Sequence, residues 1–401
     1  MEKEINLLHL SPRIPYPPDD GGKISIYNSL KFFKKNNINN TFVFFDDSEV
    51  NPNYINELKK YCDIYIFNHS TKNSYTRIIK SIIKNESIYI KKHSTSNFID
   101  FLVDLHTKKK FNFTYVEHTC MAYPAYQFSK ITGIKYGLKL NNVEWMIWKR
   151  YADNLSILNP KKYYVAHQGN LLKKEEANLI KQSSVSFAIT DSDYLRARDL
   201  SYDSNIVKVP IGINIQDMCP DFNSYRNIKE LIIATTFNWV HNVDAIKWFI
   251  DKVMPLVINE IPDVMFTIIG KYQPEWIKNL DKKHYNPVGY VEKVQPYLNK
   301  AGIYIAPLFV GSGVRIKILE AMSMGLPVVA TDISAEGIKA GDNEGLFRAN
   351  NPNEFAERII DLIRSENKLE NLRIKAREFI MNNHSWDIHI KMLIDEMQKL
   401  I

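Results

Sequence analysis

The sequence predicts an α/β protein built from two doubly wound halves, and three observations predict it. The chain has 401 residues, more than one hydrophobic core usually serves, so two domains are expected. Short apolar runs alternate with longer amphipathic stretches, the pattern of a parallel sheet covered by helices. That pattern breaks once, at a stretch rich in turn residues, and then restarts.

In the first half the apolar runs place strands at 5–10, 41–45, 64–67, 113–117, 185–189 and 206–209, with helices over 23–35 and 171–181 between them. The break covers 210–227 and carries Gly212, Pro220 and several Asp and Asn, which is linker chemistry. Beyond it, strands are expected at 231–235, 264–269, 302–306 and 327–330, and helices over 243–258, 294–298, 314–324 and 353–363. The expected division is a first domain over 1–214, a second over 215–385, and a last helix over 386–401 packing back on the first domain. In doubly wound sheets ligands bind outside the carboxyl ends of the strands, so two such halves predict a cleft where those ends face each other.

Composition narrows the class. An apolar fraction of 45% with 24% charged residues is that of an ordinary globular protein. Cys62, Cys120 and Cys219 lie far apart and fit neither a disulfide framework nor a metal spacing, which suits a reducing cytoplasm. The start of the chain does not read as a secretory signal, and no run approaches the roughly 18–20 apolar residues of a membrane span. Residues 1–220 hold 30 Lys and Arg against 22 Asp and Glu, whereas residues 221–401 hold 22 against 23. A basic first half is either a solvated surface or a face for an anionic partner, such as a lipid headgroup or a phosphorylated acceptor. No aromatic-interleaved basic stripe accompanies it, so nucleic acid is not expected as a partner.

The most informative segment runs from Pro307 to Ala321: a buried strand ends, a Gly311-Ser312-Gly313 turn follows, and a helix is expected from Val314. The glycines permit positive φ and leave no side chain in a ligand's way. Free N–H groups at a helix start, with the positive end of its dipole, attract phosphate. Arg315 and Lys317 stand in the expected first turn, where cations are unfavourable until an anion arrives. Glu320, three residues past Lys317, shares its face, and its carboxylate can accept two hydrogen bonds from a ribose diol.

With Met322 through Thr331 and Ala335-Glu336-Gly337, this segment resembles the donor-binding signature of family 4 glycosyltransferases, in the subgroup with a Gly-Ser-Gly-x-Arg-x-Lys loop. The resemblance implies the GT-B fold: two Rossmann-like doubly wound domains facing each other across a cleft. It further implies retention of anomeric configuration, no metal and no cofactor, with a nucleoside-diphosphate sugar as co-substrate. By position, Glu320 matches the second Glu of the family's paired-Glu motif and is implied to hold the donor ribose. Ser312 stands where the first would be. The cations that many relatives carry after the first strand of the second domain are absent near Thr236 and His241, and Arg315 and Lys317 are placed to replace them.

The resemblance marks further candidates. Val288, Gly289 and Tyr290 are implied to meet the nucleobase with backbone groups. Gly21 and Gly22, after the Pro-rich loop 11–20, are implied to approach donor phosphates. His118, at the end of the 113–117 strand, is implied to contact the transferring sugar. Asn142 and Glu144 belong to a segment in which Asn141 replaces the family's usual His; with Trp239 they are acceptor-side candidates. Asp191-Ser192-Asp193 spells a metal motif of another transferase fold, but its place after a strand reads as a helix cap; Asn242 is likewise expected to cap the 243 helix. The expected partners are a nucleotide sugar, a glycan or lipid-linked acceptor, and a peripheral contact with an anionic membrane. Two competing functions stay open, a sugar-nucleotide epimerase on the same fold and a non-catalytic carbohydrate-binding subunit.

Overall fold

The computed structural model describes residues 4–47, 50–311 and 313–401. They form two compact units, residues 1–210 with 389–401 and residues 211–388. The division falls after Pro210, earlier than the expected 214, because the segment after it pairs within the second unit. Ile213 N–H donates to the His384 carbonyl (2.6 Å), and Trp386 N–H donates to the Ile213 carbonyl (3.1 Å). The last helix, Trp386–Leu400, runs from the second unit into the first. There the Lys135 ammonium donates to the Leu400 carbonyl at 2.9 Å.

The first unit holds seven strands: β1 Asn6–Ser11, β2 Asn39–Asp46, β3 Asp63–Asn68, β4 Phe113–Val116, β5 Tyr136–Leu140, β6 Val185–Ala188 and β7 Ile206–Lys208. Their order is β3-β2-β1-β4-β5-β6-β7, and every pairing is parallel. β2 lies on one side of β1 and β4 on the other, so the order reverses between β1 and β4. A ligand is expected at such a reversal. Leu8, Leu10, Val43, Val116, Leu138 and Phe98 are fully buried in one core layer, and Ile26, Leu30, Phe42 and Phe44 in another.

The second unit repeats the plan with β8 Asn227–Ala234, β9 Met265–Ile269, β10 Tyr285–Gly289, β11 Ala301–Ala306, β12 Val328–Ala330 and β13 Leu346–Arg348. Their order is β10-β9-β8-β11-β12-β13, again all parallel, and it reverses between β8 and β11. The fold class is therefore the expected one, two Rossmann-like α/β units of GT-B type.

Elements depart from expectation where a local rule is overridden. β5 was not foreseen because Gly137 and Lys139 interrupt its apolar run. Gly137 is needed because a Cβ there would sit 2.8 Å from the Phe187 ring. β13 is a short edge strand. The helix expected over 243–258 starts at Val240 and passes through a π turn, Phe249–Val253, before Met254–Glu260. Pro255, which lacks an N–H, cannot continue the ordinary ladder there.

Candidate functional site

In the second unit β11, buried throughout, delivers the loop that carries Gly311 and Gly313 at the sheet's reversal point. The loop is anchored at its base. Leu308 N–H donates to the Ser334 hydroxyl (2.9 Å), the Thr331 hydroxyl donates to the Leu308 carbonyl, and Phe309 packs edge-on against Trp248 at 4.7 Å. Gly311 and Gly313 take φ of 142° and 83°, the region that favours glycine. Ser312 lies outside the described residues.

The helix starts later than expected, spanning Ile316–Ser323. Arg315 is its extended N-cap rather than a first-turn residue, and it supplies no side-chain acceptor for the first N–H groups. Its guanidinium folds back over the loop instead. Nη1 donates to the Gly313 carbonyl at 3.2 Å, and a Cβ at Gly311 would lie 2.1 Å from Nη2. Burial lowers the Arg315 pKa from its ordinary value, with Glu336 opposing the shift. Lys317 pairs with the buried Glu320 at 2.8 Å, so its unfavourable place in the first turn is offset within the helix. Val314 is half-buried in the loop.

At the other side of the same sheet the ends of β9 and β10 bound an open hollow of about 520 Å³. Val288, Gly289 and Tyr290 line it, together with Lys271, whose ammonium stands 4.4 Å over the Tyr290 ring. Gly270 N–H donates to the Gly289 carbonyl at 2.7 Å and ties the two strand ends together. Trp239, exposed, is the N-cap of the helix Val240–Trp248. Asn242 is therefore inside the first turn rather than its cap. Its amide donates to the Thr236 carbonyl at 2.7 Å and holds the end of β8.

In the first unit, β1 and β4 deliver a second cluster at their own reversal point. The helix after β1 spans Gly21–Lys35, so Gly21 and Gly22 form its first turn, two residues earlier than read from sequence. Asp20 caps it, accepting from Lys23 N–H at 2.9 Å, and also holds Arg13 through two bonds of 2.8 and 2.9 Å. Arg13 is laid across Gly22, where a Cβ would meet Nη2 at 2.7 Å. His118 follows β4, and burial lowers its pKa to about 4. The imidazole is thus neutral at neutral pH. The Asn141 amide lies 3.3 Å from both ring nitrogens and donates to the Glu117 carbonyl at 2.5 Å.

Beneath this cluster lies a network that sequence reading missed. Glu117 is fully buried and accepts from His9 Nε2 (3.1 Å) and the Lys139 ammonium (3.0 Å), which also donates to the Ser25 hydroxyl at 2.7 Å. Burial alone would raise the Glu117 carboxyl; Lys139 and His9 outweigh it and hold it at about 2. The available signal was a charge inside an apolar run, at Lys139 and at Glu117.

Asn142 and Glu144 differ in burial. Asn142 is half-buried. Glu144 is buried at the start of its helix, and its pKa is pushed up to about 8 by burial and then by Glu176. Glu176, another residue missed from sequence, caps that helix by accepting Glu144 N–H (3.0 Å) and Trp145 N–H (3.1 Å). At Asp191-Ser192-Asp193 the cap is Thr190, which accepts from Asp193 N–H at 2.9 Å. The Asp191 carboxylate pairs with Lys208 at 2.5 Å. Among the described residues no group of three or more His, Cys, Asp or Glu is arranged to hold a metal.

Comparison with known proteins fits this arrangement. Residues 229–365 match the model of the family described as Glycosyl transferases group 1. The chain is 22% identical over 398 residues to an uncharacterized 44.6 kDa protein in the cps region of Klebsiella pneumoniae, covering 94% of this chain and 96% of that one. Sucrose-phosphate synthase from Thermosynechococcus elongatus superposes with a TM-score of 0.71 at 12% identity, covering 99% of each chain. HepE of Anabaena, solved with UDP and glucose, superposes with a TM-score of 0.63 at 12% identity, covering 98% of this chain and 99% of that one. Residues 229–365 of the second unit are thus similar to a glycosyl transferases group 1 domain, within a chain of GT-B fold.

Proposed function

We propose that the chain is a retaining glycosyltransferase that moves a hexose from a UDP- or GDP-linked donor to a glycan or lipid-linked acceptor, in bacterial surface polysaccharide synthesis at the inner face of an anionic membrane. One observation carries the reading. At the β11 reversal point, a helix start without a capping side chain stands beside Arg315 and Lys317, a charge arrangement suited to a diphosphate. The family match over 229–365 and the full-length likeness to a protein of a cps region support it.

In this mechanism the bond from the anomeric carbon to the β-phosphate oxygen breaks. Negative charge develops on the phosphate, where Arg315, Lys317 and the first helical N–H groups stabilise it electrostatically. The acceptor oxygen bonds to the anomeric carbon from the same face, and its proton passes to the departing phosphate. No carboxylate nucleophile or metal is assigned. Gly311, Ser312, Gly313 and Val314 let the diphosphate approach, and Glu320, released from Lys317, accepts the ribose diol. Backbone groups at Val288, Gly289 and Tyr290 meet the base. Neutral His118 hydrogen-bonds a hydroxyl of the transferring sugar, Gly21 and Gly22 line the approach, and Asn142, Glu144 and Trp239 serve the acceptor.

The test is turnover. Arg315→Ala is expected to lower kcat by roughly a hundredfold or more, the scale of losing an oxyanion donor, with thermal stability retained. Turnover should persist in excess chelator, with the donor's anomeric configuration kept in the product. Wild-type turnover by Arg315→Ala removes the loop from the mechanism.

A further inference from the structure

The helix Tyr75–Lys84 in the first unit is oriented the wrong way round for a globular protein. Tyr75, Ile79, Ile82 and Ile83 share one face by their three- and four-residue spacing, and that face is turned outward. Their exposures are 87%, 57%, 50% and 77%. The face against the protein carries Ser81 together with the half-buried Arg77 and Ile78. Ser81 is the buried residue of this helix, donating to the Ile78 carbonyl at 2.7 Å and accepting from the Gln168 amide at 3.4 Å. A surface helix ordinarily does the reverse, because burying the apolar stripe is what holds it in place.

Lysines cluster along this stretch; Lys72 pairs with Asp47 at 3.2 Å and Lys91 with Glu86 at 3.6 Å. Lys80 and Lys84 lie exposed on the helix, Lys72 precedes it, and Lys91 and Lys92 follow, with Glu86 the one acid between Lys72 and Lys92. The helix is seated rather than loose. Ser74 caps its start by accepting from Arg77 N–H (3.3 Å), and Gln168 holds the next turn by accepting from Ile88 N–H (2.9 Å). Gln168 belongs to the helix Pro160–Gln182. Ahead of that helix stand Ile157 and Leu158, 69% and 89% exposed, followed by Lys161 and Lys162.

We propose that the helix Tyr75–Lys84 docks the first unit on an anionic lipid bilayer, its isoleucines entering the headgroup boundary while Lys80 and Lys84 meet the lipid phosphates. An apolar face rimmed by lysines matches an interface that is apolar inside and negative at its surface. Charge complementarity selects this occupant over a second copy of the chain, which would bring like charge to the same rim. The inference deepens the proposal of a membrane-presented acceptor, and it is tested without any turnover.

The experiment is co-sedimentation of the full chain with sucrose-loaded vesicles of phosphatidylcholine alone, or with about a third phosphatidylglycerol. The expected result is partition onto the anionic vesicles only, weakened by salt on the scale of charge screening. Ile79→Glu/Ile83→Glu and Lys80→Glu/Lys84→Glu should each cut that partition at least about tenfold. Both change exposed side chains, so circular dichroism and melting temperature should match wild type. Three results would overturn the proposal: wild-type protein left in the supernatant, both variants binding like wild type, or lipid-free self-association that Ile79→Glu/Ile83→Glu abolishes. A catalytically silent protein that still binds vesicles would refute the transferase reading and leave this one standing.

Discussion

Glu144 and Glu117 are both buried in the first unit, and they give opposite dependence on pH. Glu144 has an ordinary value of 4.5 and is raised to about 8, by burial and then by Glu176. Between those values the native state holds a proton that the unfolded chain has released, so this group's contribution to stability falls as pH rises through the window. Glu144→Gln removes the titration. Its melting temperature relative to wild type is therefore predicted to climb from about pH 5 to pH 8, and parallel curves would exclude a protonated Glu144. Glu117 is the reverse case, lowered from 4.5 to about 2 by Lys139 and His9 against the cost of burial. Its stabilisation is complete above pH 4.5 and is lost as pH falls towards 2. Glu117→Gln leaves Lys139 buried with no anion and should cost about 3–5 kcal/mol of unfolding free energy in urea titrations at neutral pH. These residues were hard to read from sequence because burial comes from strands far apart in the chain. The Glu117 partners sit on β1 and β5, and Ser25, which accepts from Lys139, sits on the helix Gly21–Lys35; only the sheet order brings these elements together.

At the scale of elements, strands were legible wherever an apolar run was uninterrupted, because both faces of a parallel sheet are covered. β5 escaped notice since Lys139 is tolerated inside only through its pairing with Glu117. The helix after β11 starts at Ile316, two residues later than the sequence predicts. Val314 stays in the loop, and Arg315 adopts an extended cap that sequence alone does not distinguish from a first turn. Gly270 shows how tightly the second unit's strand ends are set. Its φ is 156°, and a Cβ would lie 1.9 Å from the Thr235 carbonyl oxygen. No flexible side chain is available to yield at that contact, so the backbone must shift. Gly270→Ala is predicted to lower the melting temperature by several degrees, on the scale of about 2–3 kcal/mol for backbone strain and overpacking. An unchanged melting temperature would mean that β8 and β9 separate freely at this end.

Across the whole molecule, one plan is used twice: a parallel sheet whose order reverses at its centre, with several candidate residues just past the strands that flank the reversal and others past β5 and β10. Arg13, Gly22 and His118 follow β1 and β4; Arg315, Lys317 and Glu320 follow β11. The repeat was visible in the sequence because hydrophobic periodicity restarts after the linker. The pairing state of the site was not visible: Lys317 is held by Glu320, and Arg315 is folded over Gly311. This loop is proposed to grip a diphosphate, and calorimetric titration of the full chain with UDP and GDP in chelator measures that grip. Binding of at least one of them is expected, weakened about tenfold or more by Arg315→Ala through loss of a charge-assisted contact. Equal affinity in wild type and variant, or no binding of either nucleotide, would contradict it.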